Sequence, residues 1–281
     1  MTNGTDLTGK TAVVTGGGGT LCGEFSKALA ACGAKVAVLN RTENKAQAVV
    51  DAIRSEGGQA VAVQADVCDK ESVRAAREIV ADTFGLCDIL INGAGGNRPE
   101  ATSDDEFFSM DTLNDPNGKS FFDLEIRAFS SVFDLNLIGT VIPTQEFARD
   151  MVKKSGGVII NVSSMNAFSP LTKIPAYSAA KSAVSNFTMW LAVHFAKCGI
   201  RVNAIAPGFF VSSQNRSLLF DEHGAPTPRT GKILAATPMG RFGRPEELLG
   251  TLLWLADDRA SSFVTGIIVP VDGGFSAYSG V

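Results

Sequence analysis

Apolar runs too short for helices alternate along this chain with longer segments whose apolar residues recur at helical spacing. "KTAVVTG" (10–16) reads as a buried strand that breaks into glycine, and "LCGEFSKALAACGA" (21–34) as the helix after it, stopped at Gly33. "KVAVLNR" (35–41) is a second strand, and "TENKAQAVVDAIRSEGG" (42–58) an amphipathic helix capped by Thr42 and closed by the Gly57–Gly58 pair. "QAVAVQADV" (59–67), "CDKESVRAAREIVADTFG" (68–85) and "CDILINGAG" (87–95) continue the alternation. Beyond these, the pattern predicts a helix over 121–155, a strand over 156–164, a long helix over 176–199, a strand over 200–208 and a last strand over 266–274.

Such alternation is the mark of parallel strands joined by helical crossovers. Runs such as "VIINV" stay apolar without alternating, as strands covered on both faces do. The fold class is therefore α/β, a three-layer, doubly wound parallel sheet in a single domain over 1–281, with its sites at the carboxyl ends of the strands. Two segments interrupt the rhythm: an acidic, aromatic insertion at about 97–123, and a polar stretch at about 213–236 that reads as a substrate loop.

Composition narrows the partner rather than the fold. A formal charge of -4 with scattered Lys and Arg argues against nucleic acid. No apolar stretch approaches the roughly 18 residues that cross a bilayer, and the N-terminus lacks the charged head and apolar run of a signal peptide. The chain thus reads as cytoplasmic, with no membrane partner. The five cysteines, Cys22, Cys32, Cys68, Cys87 and Cys198, show no C-x-x-C spacing, and His194 and His223 are the only histidines. No metal site is expected, and the thiols read as small, reduced, apolar residues. A small-molecule partner remains.

The candidate chemistry sits in "YSAAK". Tyr177 and Lys181 lie one turn apart on a helix face, and Ser164 ends the strand before that helix. Each alone has an ordinary reading, Tyr177 as a half-buried aromatic and Ser164 as a strand-end cap; their joint spacing favours a general acid/base. A free phenol titrates near pH 10. An ammonium about 4 Å away, at an effective dielectric near 20, would stabilise the phenolate by on the order of 4 kcal/mol before desolvation. That predicts a lowered pKa for Tyr177.

Joined to Thr15–Gly16 after the first strand, "NGAG" at Asn92–Gly95, Asn136 in "DLNLIGT" and Pro207–Gly208, this ordered set resembles the short-chain dehydrogenase/reductase family from about Lys10 to Gly274. The resemblance implies a Rossmann-like fold and hydride transfer between NAD(P)(H) and a secondary alcohol or ketone. It implies catalytic roles for Asn136, Ser164, Tyr177 and Lys181: Ser164 holds the substrate oxygen, Lys181 also bonds the nicotinamide ribose, and Asn136 supports a proton-relay water.

For the cofactor, the resemblance implies Gly16, Gly18, Thr20 and Leu21 at the pyrophosphate, and Asn40 and Arg41 at the adenosine ribose edge. Asp66 and Val67 fall beside the adenine, and Asn92, Ala94 and Gly95 under the ribose. Tyr177, Lys181, Pro207, Gly208, Phe210 and Ser212 fall around the nicotinamide end. Thr20 and Cys22 stand where the family's loop has glycines, and the Cys22 thiol suggests a loop sensitive to oxidation. Asn40–Arg41 lacks the acidic residue that chelates ribose hydroxyls, and a guanidinium binds a 2′-phosphate bidentately, so the cofactor leans to NADP. Arg41 as a solvated residue at a helix start leaves NAD open.

Substrate candidates are Ser164, Tyr177, Asn166, Arg98 and Gln214, with Lys173 and Arg216 nearby. Cations for a carboxylate and amides for hydroxyls suit a sugar acid. "GGGGTLCG", "INGAGGNRP" and "TPMGRFGRPEELLG" resemble the family's D-mannonate oxidoreductase (fructuronate reductase) branch, which implies interconversion of D-mannonate and D-fructuronate. The alternatives are another sugar or polyol such as gluconate, a 3-oxoacyl thioester, or a catalytically idle nucleotide-binding protein. The family resemblance also implies a homotetramer packed through the helices around Asn136 and Tyr177 and through the C-terminal strand.

Overall fold

The computed structural model describes residues 4–212 and 216–280. Its strands are β1 (Thr11–Thr15), β2 (Lys35–Asn40), β3 (Gln59–Gln64), β4 (Ile89–Asn92), β5 (Gly157–Val162), β6 (Ile200–Pro207) and β7 (Ile268–Val271). All pair in parallel, in the order β3-β2-β1-β4-β5-β6-β7. The helices are α1 (Thr20–Ala31), α2 (Glu43–Ser55), α3 (Lys70–Phe84), α4 (Met110–Asn114), α5 (Ile126–Phe133), α6 (Gly139–Lys153), α7 (Pro175–Phe195), α8 (Arg216–Leu219), α9 (Pro228–Ala235), α10 (Leu249–Ala256) and α11 (Asp258–Ser261).

The three layers follow from β1, in which every residue is buried. Ala12 and Val14 pack with Phe25 and Leu29 of α1, Val50 of α2 and Leu252 of α10. Val13, facing the other way, packs with Val73 of α3, Phe147 of α6 and Leu191 of α7. Neither set of alternating residues can face water, which is why the strands read as unbroken apolar runs.

One predicted element differs, and one helix of the core was not expected. The single helix expected over 121–155 is broken into a 3-10 turn at Phe121–Asp123, α5, a π-turn at Asp134–Ile138 and α6. Helix α10 was not predicted, because "LGTLLWLA" is apolar almost all round and shows no clean stripe. Thr42 takes the cap position of α2 as expected, without a side-chain hydrogen bond.

Strand order reverses between β1 and β4, whose ends lie in register with Thr15 opposite Asn92. Loops leaving neighbouring strands in opposite directions open a crevice at this point. The segment 97–123 forms part of the rim there, through Ser103 N donating to Lys173 O (2.9 Å). The 213–236 stretch carries α8 and α9, and Lys232 of α9 ties it to Glu106 of the insertion at 2.8 Å.

Candidate active site

β5 runs into Ser163 and Ser164, and Ser164 Oγ accepts from Asn166 N at 3.2 Å, starting a 3-10 turn at Met165–Ala167. That turn sets the serine beside α7, close enough to Tyr177 to draw its phenol's pKa down. Pro175 begins α7 at a position where its missing N–H costs nothing, and places Tyr177 and Lys181 on successive turns facing the sheet. Lys181 is 3% exposed, and its Nζ donates to Val162 O at 2.8 Å, 5.6 Å from the Tyr177 ring centroid.

Burial pulls the Lys181 ammonium down to about 8. Burial also pushes the Tyr177 phenol above its ordinary value, against the Ser164 hydroxyl, which draws it down. The lowering expected from Lys181 is therefore reversed: the lysine's hydrogen bond goes to β5, and desolvation dominates the phenol.

The π-turn carries the fourth residue. Asn136 is fully buried, with Nδ2 donating to Gly96 O (2.7 Å) and Val132 O (2.8 Å), and Oδ1 accepting from Gly96 N (3.3 Å). Its amide thereby holds the chain leaving β4, a task a regular helix at this point would not set up. A Cβ at Gly95 would lie 2.7 Å from Asn136 Oδ1 and 3.1 Å from Lys181 Nζ, so the two side chains flank one bare stretch of backbone.

The crevice fits a dinucleotide. Gly16 adopts φ +64, and a Cβ on it would meet Ala94 Cα at 2.9 Å; one on Gly18 would meet Lys45 Cβ at 2.7 Å. Gly19 caps α1 with no side-chain hydrogen bond, and no acidic residue occupies the first turn. The amides around Thr20 and Leu21 thus keep a positive helix end for a phosphate. Thr20 is exposed, as is Arg41 beyond β2. Asn40 Nδ2 donates to Thr42 O (2.9 Å), and Asp66 Oδ1 accepts from Cys68 N (2.9 Å), so both shape turns at the adenosine edge.

Other predicted contacts fall differently. Asn92 is 2% exposed, and its Nδ2 donates to Thr144 Oγ1 and Asn161 Oδ1, each at 2.9 Å. Its side chain is turned into the core rather than toward a ribose, since a buried amide must find internal partners. Val67 is buried against Gly139 of α6, and Phe210 is buried with its ring on Gly243. Those side chains pack inward, leaving backbone at the crevice edge. Ala94 follows β4, Pro207 and Gly208 close β6, and Ser212 lies five residues beyond it, with its O accepting from Arg216 N at 3.0 Å.

The Cys22 thiol is pushed up to about 12 by burial, so it carries almost no thiolate, and the expected oxidation sensitivity is not supported.

On the substrate side Arg98 is exposed, just past the Asn136-held Gly96. Asn166 is buried, with Oδ1 lacking a hydrogen-bond partner. Lys173 is committed to the insertion through Asp104 O, and Arg216 lies 5.5 Å over the Phe220 ring. Gln214 falls outside the described residues.

The sequence reading missed Asn161, which donates to Thr188 Oγ1 of α7 (2.9 Å) while accepting from Asn92. With Thr144 on α6, this links α6 and α7 through the sheet. A polar residue inside the apolar run "VIINV" was the available signal.

A sequence model of short chain dehydrogenases matches residues 10–222. An uncharacterized oxidoreductase of Bacillus subtilis, UxuB, is 56% identical over 276 residues, 98% of each chain. A crystal structure of a "putative D-Mannonate oxidoreductase from Haemophilus influenza" with bound NAD superposes with a TM-score of 0.95 at 54% identity, covering 100% of this chain and 99% of that one. A gluconate 5-dehydrogenase from Burkholderia cenocepacia, in complex with NADP and tartrate, gives a TM-score of 0.82 at 30% identity over 99% of each chain.

Proposed function

This chain belongs to the short-chain dehydrogenase family and is an NAD(P)-dependent oxidoreductase of alcohols and ketones, and we propose that its substrate is a sugar acid, with D-mannonate and D-fructuronate as the pair it interconverts. The observation that carries the substrate reading is the exposed Arg98, three residues beyond the Gly95 backbone that Asn136 and Lys181 flank. A cation carried on the segment that leaves this site suits a carboxylate at the far end of a short polyol. The likeness to the Haemophilus protein supports the same choice.

When bound, NAD(P)H supplies the hydride to the carbonyl carbon. Ser164 holds the carbonyl oxygen through its hydroxyl. Tyr177, whose phenol stays protonated at neutral pH, gives that oxygen its proton, and Lys181 offsets the phenolate charge that results. Asn136 fixes the wall against which these groups are set.

With NADH or NADPH, D-fructuronate is expected to react with at least about tenfold higher kcat/KM than the neutral ketose D-fructose, because a lost carboxylate pairing costs about 1.5–3 kcal/mol. The Arg98→Ala variant should lose most of that margin by a rise in KM. A neutral ketose matching the acid would sink the substrate reading, and 5-ketogluconate, the ketone partner of gluconate, outperforming both would move it to the second sugar acid represented among the similar structures.

The same reading takes NADP as the preferred cofactor, on exposed Arg41 beside an uncharged Asn40. Arg41→Ala is expected to raise the KM for NADPH about tenfold and that for NADH less than twofold, the loss of one charge-assisted phosphate contact. Equal changes for the two would remove the preference. A homotetramer completes the proposal: α7 leaves Met189, Trp190 and Val193 exposed on its outer face, where a subunit contact is expected.

A further inference from the structure

The glycine-rich loop after β1 and the pair Asn136 of the π-turn and Lys181 of α7 close on one short stretch, Gly93–Gly95, from opposite sides. From the β1 side, Thr15 Oγ1 accepts from Gly93 N (3.0 Å) and Ala94 N (3.3 Å), and Gly16 leaves no room for a Cβ against Ala94. From the other side, Asn136 Oδ1 and Lys181 Nζ close on Gly95. Beneath, Asn92 is held by Thr144 and Asn161, so the stretch cannot retreat into the sheet.

Cys22, in the first turn of α1, fills the remaining space. A Cβ at Gly93 would fall inside the van der Waals radius of Cys22 Sγ. The thiol is 5% exposed and sits close enough to Lys181 for the two to influence each other's ionisation.

We propose that Cys22 and Gly93 form a complementary pair, a thiol knob in a side-chain-free socket, that sets the spacing between the helix end facing the cofactor and the backbone wall behind Asn136 and Lys181. Cys22 is thus a positioning residue for cofactor binding. The proposal rests on the reading of the crevice as the NAD(P) site.

The test is an exchange of volume across the contact, because the cost of overpacking a site should vanish when its neighbour shrinks. Replacing Cys22 by alanine removes Sγ and leaves a methyl at position 93 with Thr15 O at 3.0 Å and the Cys22 Cβ at 3.5 Å as its nearest neighbours. NADH and NADPH dissociation constants are measured by fluorescence titration well below each variant's Tm. Gly93→Ala and Cys22→Ala are each expected to weaken both cofactors by at least about tenfold, the first by overfilling the socket and the second by emptying it, and the double variant to return within about threefold of wild type; a Cys22→Ala protein with unchanged dissociation constants would overturn the pairing as a spacer.

A double variant as weak as Gly93→Ala, or a Gly93→Ala protein with lowered Tm and unchanged dissociation constants, would overturn the pairing. If Gly93→Ala does not fold, a double variant that folds and binds NADH normally supports it, and one that stays unfolded overturns it. A wild type that bound neither cofactor would instead overturn the underlying reading of the crevice, and the pairing with it.

Discussion

Replacing Tyr177 by phenylalanine is expected to lower kcat by about 10²–10⁴ while leaving the NADH dissociation constant within about threefold of wild type, the usual reach of one positioned general acid. The phenol lies near enough to Ser164, at the end of β5, to feel its hydroxyl, and burial holds it above its ordinary value and so protonated at neutral pH. In the reductive direction this is the state that can give a proton to the carbonyl oxygen as hydride reaches carbon.

Removing the hydroxyl leaves the ring to pack as before, in a cluster with Ala176, Ala180 and Val132, so fold and cofactor crevice should survive. Ser164 still caps its 3-10 turn by accepting from Asn166 N. Steady-state rates on the best sugar acid, beside a fluorescence titration with NADH, separate the two effects. Full kcat in Tyr177→Phe would remove the phenol from the mechanism; joint loss of kcat and NADH binding would make it a packing residue instead.

Ser164, Tyr177 and Lys181 were legible in the sequence because local rules fix them: a strand end, and one turn of helix with proline at its start. The parallel sheet was legible for a similar reason, since strands covered on both faces are buried at every position, as β1 and β6 are, and therefore mostly apolar with no alternation. What stayed hidden depends on contacts distant along the chain. Nothing around "DLNLIGT" announces a π-turn, whose extra residue is accommodated because Asn136 finds Gly96 and Val132 as partners.

Asn92 read as a cofactor residue because it ends a strand beside glycines; its inward turn is decided by Thr144 on α6 and Asn161 on β5. The Tyr177 pKa went the wrong way from sequence because spacing gives a distance between charges but not the burial of the group between them. Helix α10 was masked by its own apolar character, since a stripe is visible only against a polar face.

Lys181→Met is expected to abolish turnover and also to change how stability depends on pH. Burial holds the lysine at about 8 in the folded protein, against 10.5 as its unperturbed value. Between those values the unfolded chain binds a proton that the folded chain does not, so wild-type stability rises with pH through this window. Below about pH 8 both states are protonated and the folded state bears the whole penalty of a buried ammonium; above about 10.5 both are neutral and the penalty is gone.

Methionine keeps the length and apolar stem of the side chain but never ionises. The stability of wild type minus that of Lys181→Met should therefore increase by on the order of 3 kcal/mol between pH 7 and pH 10.5. Other lysines and the tyrosines titrate in both proteins and cancel in the difference. The lost bond from Nζ to Val162 O adds an offset of about 1 kcal/mol that does not vary across most of the window. Urea unfolding of both proteins without cofactor at pH 7, 8.5 and 10 measures the slope, and parallel curves would show that Lys181 is not held below its ordinary value.

A positive slope carries a further consequence. At neutral pH the ammonium costs the fold stability, and under the mechanism proposed above, in which its charge offsets the Tyr177 phenolate, reduction should fade as pH rises past about 8.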